Sequence, residues 1–215
     1  MSENLNKLEK QFYSDGFRLG MKASENPQRK SLLISSVNEM YSIADEFIDS
    51  FLHFARQNNQ TADCKRGCSW CCYQPVFALS YEMETLNDFI HLRFDTKQQS
   101  GIQKRATAKQ QRAENLKGDK LLNSKFPCPL LYEGYCLAYQ ARPMACRIYL
   151  STRLDTCLKF YNTPEDKNNF PALLQFPMRV GRLLNEGFKS ALKSRGTAVD
   201  EFRIEKGILQ KPATF

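Results

Sequence analysis

Histidine is scarce: the 215 residues contain two, His53 and His91. They stand 38 residues apart, so neither is near a second His, and no H-E-x-x-H run occurs. A hydrolytic zinc site built on imidazoles therefore lacks its ligands. No nucleophile elbow and no Gly-rich phosphate loop is present, which removes the common esterase and nucleotide-hydrolase readings. No window approaches the roughly 18 apolar residues of a membrane span, so no membrane partner is expected. The opening residues, MSENLNKLEKQFYSDGFRLG, hold no apolar stretch of export-signal length. Cytoplasmic localisation is the resulting expectation. No repeat at a period of about 20–50 residues is visible, which argues against a solenoid or propeller.

What is present suits a folded chain. Hydrophobic residues make up 42% and charged residues 25%, which excludes wholesale disorder. The formal charge of +8 is concentrated. Between 97 and 125 lie Lys97, Lys104, Arg105, Lys109, Arg112, Lys117, Lys120 and Lys125, opposed only by Glu114 and Asp119. Thiolates bound to a metal would lower the working charge, so an acidic partner is permitted and not required.

Hydrophobic periodicity places a long amphipathic helix from Ser31 to about Ala55, through Leu33, Val37, Met40, Ala44, Ile48 and Phe51. Residues 1–22 read as an irregular or short helical lead-in, and Asn58–Thr61 as a loop. Pro75–Leu79 is a short apolar run, followed by a helix that Ser80 would cap. Residues 97–117 suggest an exposed helix interrupted near Gly101. Glu133-Gly134 marks a tight turn or small hairpin. A further helix runs through Val180, Leu184, Phe188 and Leu192, and Phe202-Arg203-Ile204 reads as a short strand or part of a short helix. The expected fold is mostly α, a helical frame around an irregular cysteine-rich metal-binding centre with little β structure. Its expected parts are an N-terminal helical segment (1–59), a cysteine-cluster region (60–160) and a C-terminal helical segment (161–215).

The chemistry lies in the cysteines. All eight fall between 64 and 157: Cys64, Cys68, Cys71, Cys72, Cys128, Cys136, Cys146 and Cys157. Structural thiols would scatter over the apolar faces of helices, and these avoid every strong helix. Without an export signal, disulfides are disfavoured and metal ligation is the better reading. Thiolates are soft ligands that select zinc or iron–sulfur centres. Gly67 permits the sharp turn before Cys68, and Pro127, Pro129 and Pro143 hold the later segments out of regular helix. Cys71 and Cys72 are adjacent; in an extended segment their side chains point apart, toward different metals or different parts of one cluster. Two four-thiol sites, or one cluster with extra thiols, both remain open. The tight C-x3-C-x2-C order favours iron–sulfur slightly over zinc.

That order also resembles the triad of radical S-adenosylmethionine enzymes, but a long helix precedes it here and strand patterns are scarce. The compound pattern is more specific. C-x3-C-x2-C-C, Cys128-Pro129-Leu130-Leu131, Gly134-x-Cys136, Tyr139 and Arg142-Pro143-x-x-Cys146-Arg147 resemble the YkgJ-like cysteine-cluster family of zinc- or iron-chelating domains, over about residues 60–160. Cys157 would complete that family's eight. The resemblance implies metal chelation. One branch is similar to flagellin lysine N-methylases, which implies a possible protein-modifying activity.

Three functions follow: a metal-chelating protein with a structural or electron-transfer centre, a metal- or cluster-dependent protein-modifying enzyme, and a zinc-dependent nucleic-acid or protein adaptor. Residues 97–125 with Tyr132, Tyr135 and Tyr139 permit nucleic acid, yet the segment is nearly free of aromatics and no RNA-binding signature appears. A protein partner stays open. Trp70 is expected to shield the centre. Arg142 and Arg147 would neutralise thiolates, pair with acids such as Glu133, or stand exposed. His53 and His91 read as surface or satisfied helix residues.

Overall fold

A computed structural model describes residues 2–26, 30–58, 62–65 and 67–210. In chain order its elements are α1 (Ser2–Ala23), α2 (Lys30–Gln57), β1 (Phe77–Leu79), α3 (Ser80–Arg93), α4 (Thr96–Ala113), α5 (Gly118–Leu122), β2 (Leu131–Tyr132), β3 (Tyr135–Cys136), α6 (Met144–Arg147), α7 (Leu154–Asn162), α8 (Gln175–Ser194), β4 (Glu201–Arg203) and α9 (Ile204–Leu209). The fold is mostly α, with little β structure. Most of the loop expected at 58–61 lies outside the described residues.

The lead-in is the first correction: α1 is a continuous helix of 22 residues. Its contact with α8 explains why the sequence signal is weak. Gly16, Gly20 and Gly187 stand where the two backbones meet, and a Cβ on Gly16 would collide with the Leu184 carbonyl. Close approach uses small residues in place of the apolar side chains that make a visible stripe. The large apolar side chains buried along the described part of α1 are few, Phe12 and Leu19, beside the small Gly16, Gly20 and Ala23. Gly187→Ala would press a methyl onto the Tyr13 carbonyl oxygen and the Phe17 amide. The expected cost is roughly 1–3 kcal/mol of overpacking, against which the helix-propensity gain of about 1 kcal/mol works only in part. Urea unfolding reads this directly; an unchanged or higher midpoint would contradict the packing described.

Two apolar cores form. The first joins Phe12 and Leu19 of α1, Val37, Met40, Tyr41 and Ala44 of α2, and Val180, Leu184 and Phe188 of α8. The second joins Met83, Leu86 and Ile90 of α3, Ile102 and Ala106 of α4, and Ile204 and Ile208 of α9. The cysteine-rich segment belongs to both. Met144 and Ile148 enter the first core; Cys128, Leu130, Ala138 and Ala141 enter the second.

The exposed, broken helix expected at 97–117 is α4, unbroken through Gly101. Asp95 caps it, accepting from the Gln98 amide at 2.8 Å while Gln98 Oε1 accepts from the Asp95 amide at 3.1 Å. Ile102, Ala106, Lys109 and Ala113 form a buried stripe, so one of the basic residues faces inward. At α3, Ser80 is the first helical residue, and it is the Glu82 carboxylate that accepts from the Leu79 amide at 3.0 Å. β1 pairs antiparallel with β4, Phe77 opposite Arg203. β2 and β3 form the expected hairpin, turned by Glu133 (φ 49°) and Gly134 (φ 81°). No helix among the described residues is long and apolar enough to cross a membrane.

Candidate metal centre

The first cysteine group is a strap of consecutive tight turns. Gly67 has φ 92°, in the left-handed region that favours glycine. The Cys68 amide donates to the Lys65 carbonyl (3.0 Å), Cys72 to Ser69 (2.9 Å) and Gln74 to Cys71 (3.3 Å). Trp70–Tyr73 is a single 3-10 turn. The extended conformation expected for Cys71-Cys72 is therefore absent, and the Cys72 thiol stands beside Cys71.

Three other segments come to this strap. The Cys128 amide donates to the Cys72 carbonyl at 2.7 Å, which ties the proline-flanked segment and the hairpin carrying Cys136 to the turn. On the other side the Cys64 amide donates to Ser151 at 3.2 Å, and its thiol points to the Tyr149 carbonyl at 3.8 Å. α7, carrying Cys157, docks on the turn through Tyr161, whose ring meets Trp70 at 5.0 Å and Tyr73 at 5.1 Å.

Cys146 lies on α6, which a buried polar network holds. Glu82, 1% exposed, accepts from the Met144 amide at 2.7 Å and from the Tyr41 hydroxyl at 3.1 Å. Burial raises the Glu82 carboxyl above its ordinary range, and these donors pull against that. Arg147, 2% exposed, pairs with Asp45, donates to the Arg142 carbonyl at 2.9 Å and to the Gln140 carbonyl, and lies 4.0 Å over the Tyr41 ring. Arg147 is thus neither exposed nor a partner of Glu133. Arg142 lies 3.9 Å over Tyr139 and 3.4 Å from Asp45, and its charge also bears on Cys71, Cys136 and Cys146.

Seven of the eight cysteines, Cys64, Cys68, Cys71, Cys72, Cys128, Cys136 and Cys146, line one cavity of about 700 Å³. Cys157 lies outside its wall, yet Cys68 and Cys71 are the thiols whose charge bears on it. All eight are free thiols. They surround a space rather than close on a point: no three His, Cys, Asp or Glu side chains among the described residues stand together as a holder for one ion. Soft sulfur donors on a common wall, joined by Tyr149 and apolar Leu52, Val76 and Leu130, suit zinc or an iron centre and not a hard cation.

Burial pushes the Cys64, Cys128, Cys146 and Cys157 thiols up, and Cys136 up to about 11. Cys71 runs the other way, held down by the neighbouring Cys72 thiol and, more weakly, by its own backbone amide and the Arg142 charge. A buried thiol must lose its proton to ligate, so zinc or iron affinity should rise with pH, with proton release on binding. For the chelator-treated chain the sign reverses. A folded-state pKa above the unfolded one stabilises at low pH and is lost as pH rises through it. Stability should then fall between pH 9.0 and about 11, the window of Cys136. Metal titrations and urea midpoints across that range check both slopes; an affinity flat in pH counts against thiolate ligation.

Several residues were not foreseen. Tyr149 and Gln74 line the cavity, and Gln74 donates to the Tyr149 hydroxyl at 2.9 Å. Neither has a sequence signal beyond nearness to cysteine. Trp70 packs on Tyr161 and is not part of the cavity wall, so its role is docking rather than shielding. His53 and His91 are exposed, as expected. In the basic segment, Arg105 lies over Tyr132 and donates to the Pro129 carbonyl at 2.7 Å, while Arg112 lies over Phe126.

Residues 63–170, half of the chain, match the CxxCxxCC family, described as "Putative zinc- or iron-chelating domain". The chain belongs to this family. Metal chelation by this region follows from that membership and agrees with the thiol-lined cavity. No curated protein and no solved structure matches the chain. The CxxCxxCC name spells two residues between its first two cysteines; here there are three, Lys65, Arg66 and Gly67, and the left-handed Gly67 lies in that longer interval.

Proposed function

We propose that the eight cysteines hold an iron–sulfur centre, structural or electron-carrying. The observation that carries this reading is the convergence of seven thiols, from the strap, the hairpin segment and α6, on one volume of about 700 Å³. That space exceeds the needs of a single ion, and the close C-x3-C-x2-C order suits a cluster. The hydrogen bonds tie Cys72 to Cys128 and its hairpin, and Cys64 to Ser151. Cys71 bears on both groups, on Cys128, Cys136 and Cys146 and on Cys64 and Cys157. A bound cluster would supply one-electron transfer and a covalent tie between these segments. The chain's own part is to ease proton loss at Cys71 through Cys72 and Arg142, and to shield the space with Leu52, Val76 and Leu130.

Anaerobic purification with iron, zinc and acid-labile sulfide analysis tests this. Brown protein with stoichiometric sulfide is the expected result; colourless protein with stoichiometric zinc would replace the cluster by zinc ions in the same thiols. Protein that is purified with neither metal and takes up neither on anaerobic reconstitution sinks both.

One observation favours a second reading, a metal-dependent protein-modifying enzyme of the lysine N-methylase kind. A second cavity of about 580 Å³ shares Phe77, Ala145, Tyr149 and Glu201 with the thiol cavity. It offers room for a substrate beside the centre. Calorimetric titration with S-adenosylmethionine decides this; absence of binding to the metal-loaded protein removes it.

A further inference from the structure

The basic segment hides an uneven group of buried charges. Lys109 is 5% exposed, Arg203 8% and Glu205 1%. Arg203 Nε meets Glu205 Oε1 at 3.0 Å, and Arg203 Nη1 donates to the Ala113 carbonyl at 3.1 Å. Those two residues neutralise each other. Lys109 is the third member: its Nζ stands 3.9 Å from Glu205 Oε2, an oxygen with no hydrogen-bond partner, and donates to the Gln74 carbonyl at 3.4 Å. Two cations thus face one carboxylate, leaving one positive charge in excess where water is excluded. Such a charge is costly unless an opposite one lies near.

The neighbouring cavity offers that opposite charge. Gln74, Cys128 and Ile204 are part of its wall. Lys109 acts on the Cys128 thiol in the direction that favours thiolate. A centre ligated by four thiolates is anionic with zinc or with a cluster.

We propose that Lys109 is the buried counter-charge of an anionic metal–thiolate centre on the Cys128 side of the cavity, an inference that rests on the function proposed above. It is a positioning residue, acting on the centre through its field. Its place in the α4 stripe is then functional: Ile102, Ala106 and Ala113 pack, and Lys109 fills the remaining position with charge. Metal loading completes the balance that the triad lacks. Removing Lys109 would leave Arg203–Glu205 as a neutral pair, so the metal-free fold needs Lys109 less than the loaded one does.

The test compares the full chain with Lys109→Met and Lys109→Arg. Zn2+ affinity is measured against a chromophoric chelator, and urea midpoints are taken on chelator-treated and Zn2+-loaded protein. The Met variant should bind Zn2+ about 10–100-fold more weakly, the range of outer-shell partners. Its chelator-treated midpoint should be unchanged or higher, and the Arg variant should recover most of the affinity. Wild-type affinity in the Met variant overturns the proposal. So does a loss of stability of equal size with and without Zn2+, which marks a purely structural lysine. Failure of the unmodified chain to bind Zn2+, with neither iron nor acid-labile sulfide in the anaerobically purified protein, defeats the metal–thiolate reading itself, and the counter-charge with it.

Discussion

Cys128→Ser should lose bound metal and stability together. Cys128 is 7% exposed, and its amide is tied to the Cys72 carbonyl at 2.7 Å. It therefore joins the strap to the second core as well as lining the thiol cavity. Losing a ligand should weaken metal binding by more than the about 10–100-fold that an outer-shell partner is worth. Since metal-binding free energy is folding free energy where no site preexists in the unfolded chain, the loss carries into stability. The buried hydroxyl adds about 1–3 kcal/mol if it finds no acceptor, and Cys128→Ala separates that cost from the metal's. Cys68→Ser should lose metal without the core penalty, because Cys68 is only partly buried and belongs to neither apolar core. Metal analysis and urea unfolding of the three variants check this; unchanged stoichiometry and folding in both serine variants would end the metal reading. The loss should be local. Since α1, α2 and α8 supply most of the first core among themselves, that bundle should outlast chelation, and hydrogen exchange should report protection lost first in the strap and around 128–146.

Arg147→Ala should be the most destabilising change away from the thiols, at about 3 kcal/mol, the lower end of what breaking a buried pair costs. The lower end applies because Asp45 is 39% exposed and water can take over its solvation. The remaining loss comes from two backbone carbonyls, of Arg142 and Gln140, stripped of their donor. Loss of the cation over Tyr41 adds to it. Arg147→Lys should recover only part, since one ammonium cannot reproduce the planar fork. Chemical denaturation measures both; a change below about 1 kcal/mol would mean that the network does not hold α6. Because α6 carries Cys146, metal retention should weaken in proportion to the lost stability.

Legibility differed by element for physical reasons. α2 and α8 were visible because each buries a continuous apolar stripe, and the 131–136 hairpin because Glu133-Gly134 suits its left-handed turn. α1 was missed because its contact with α8 is made by glycines, which leave no hydrophobic period. α4 reads as exposed in the sequence because a lysine and two alanines occupy most of its inner stripe, and sequence does not distinguish a buried cation from a solvated one. Arg147 misled for the same reason: its partners Asp45 and Tyr41 lie about a hundred residues away.

By itself the amino-acid order determined the ligand chemistry. Eight soft donors, the turns that bunch four of them, and the prolines on either side of Cys128 are all local properties, whereas Cys146 and Cys157 lie on the helices α6 and α7. Only the tertiary structure decided which thiols share a wall, that Cys157 stands behind the turn rather than in the cavity, and that Lys109 and Arg147 are buried with specific partners. Those facts depend on contacts between segments distant in the chain, and the energy of a buried charge is set by what surrounds it, not by its neighbours in sequence.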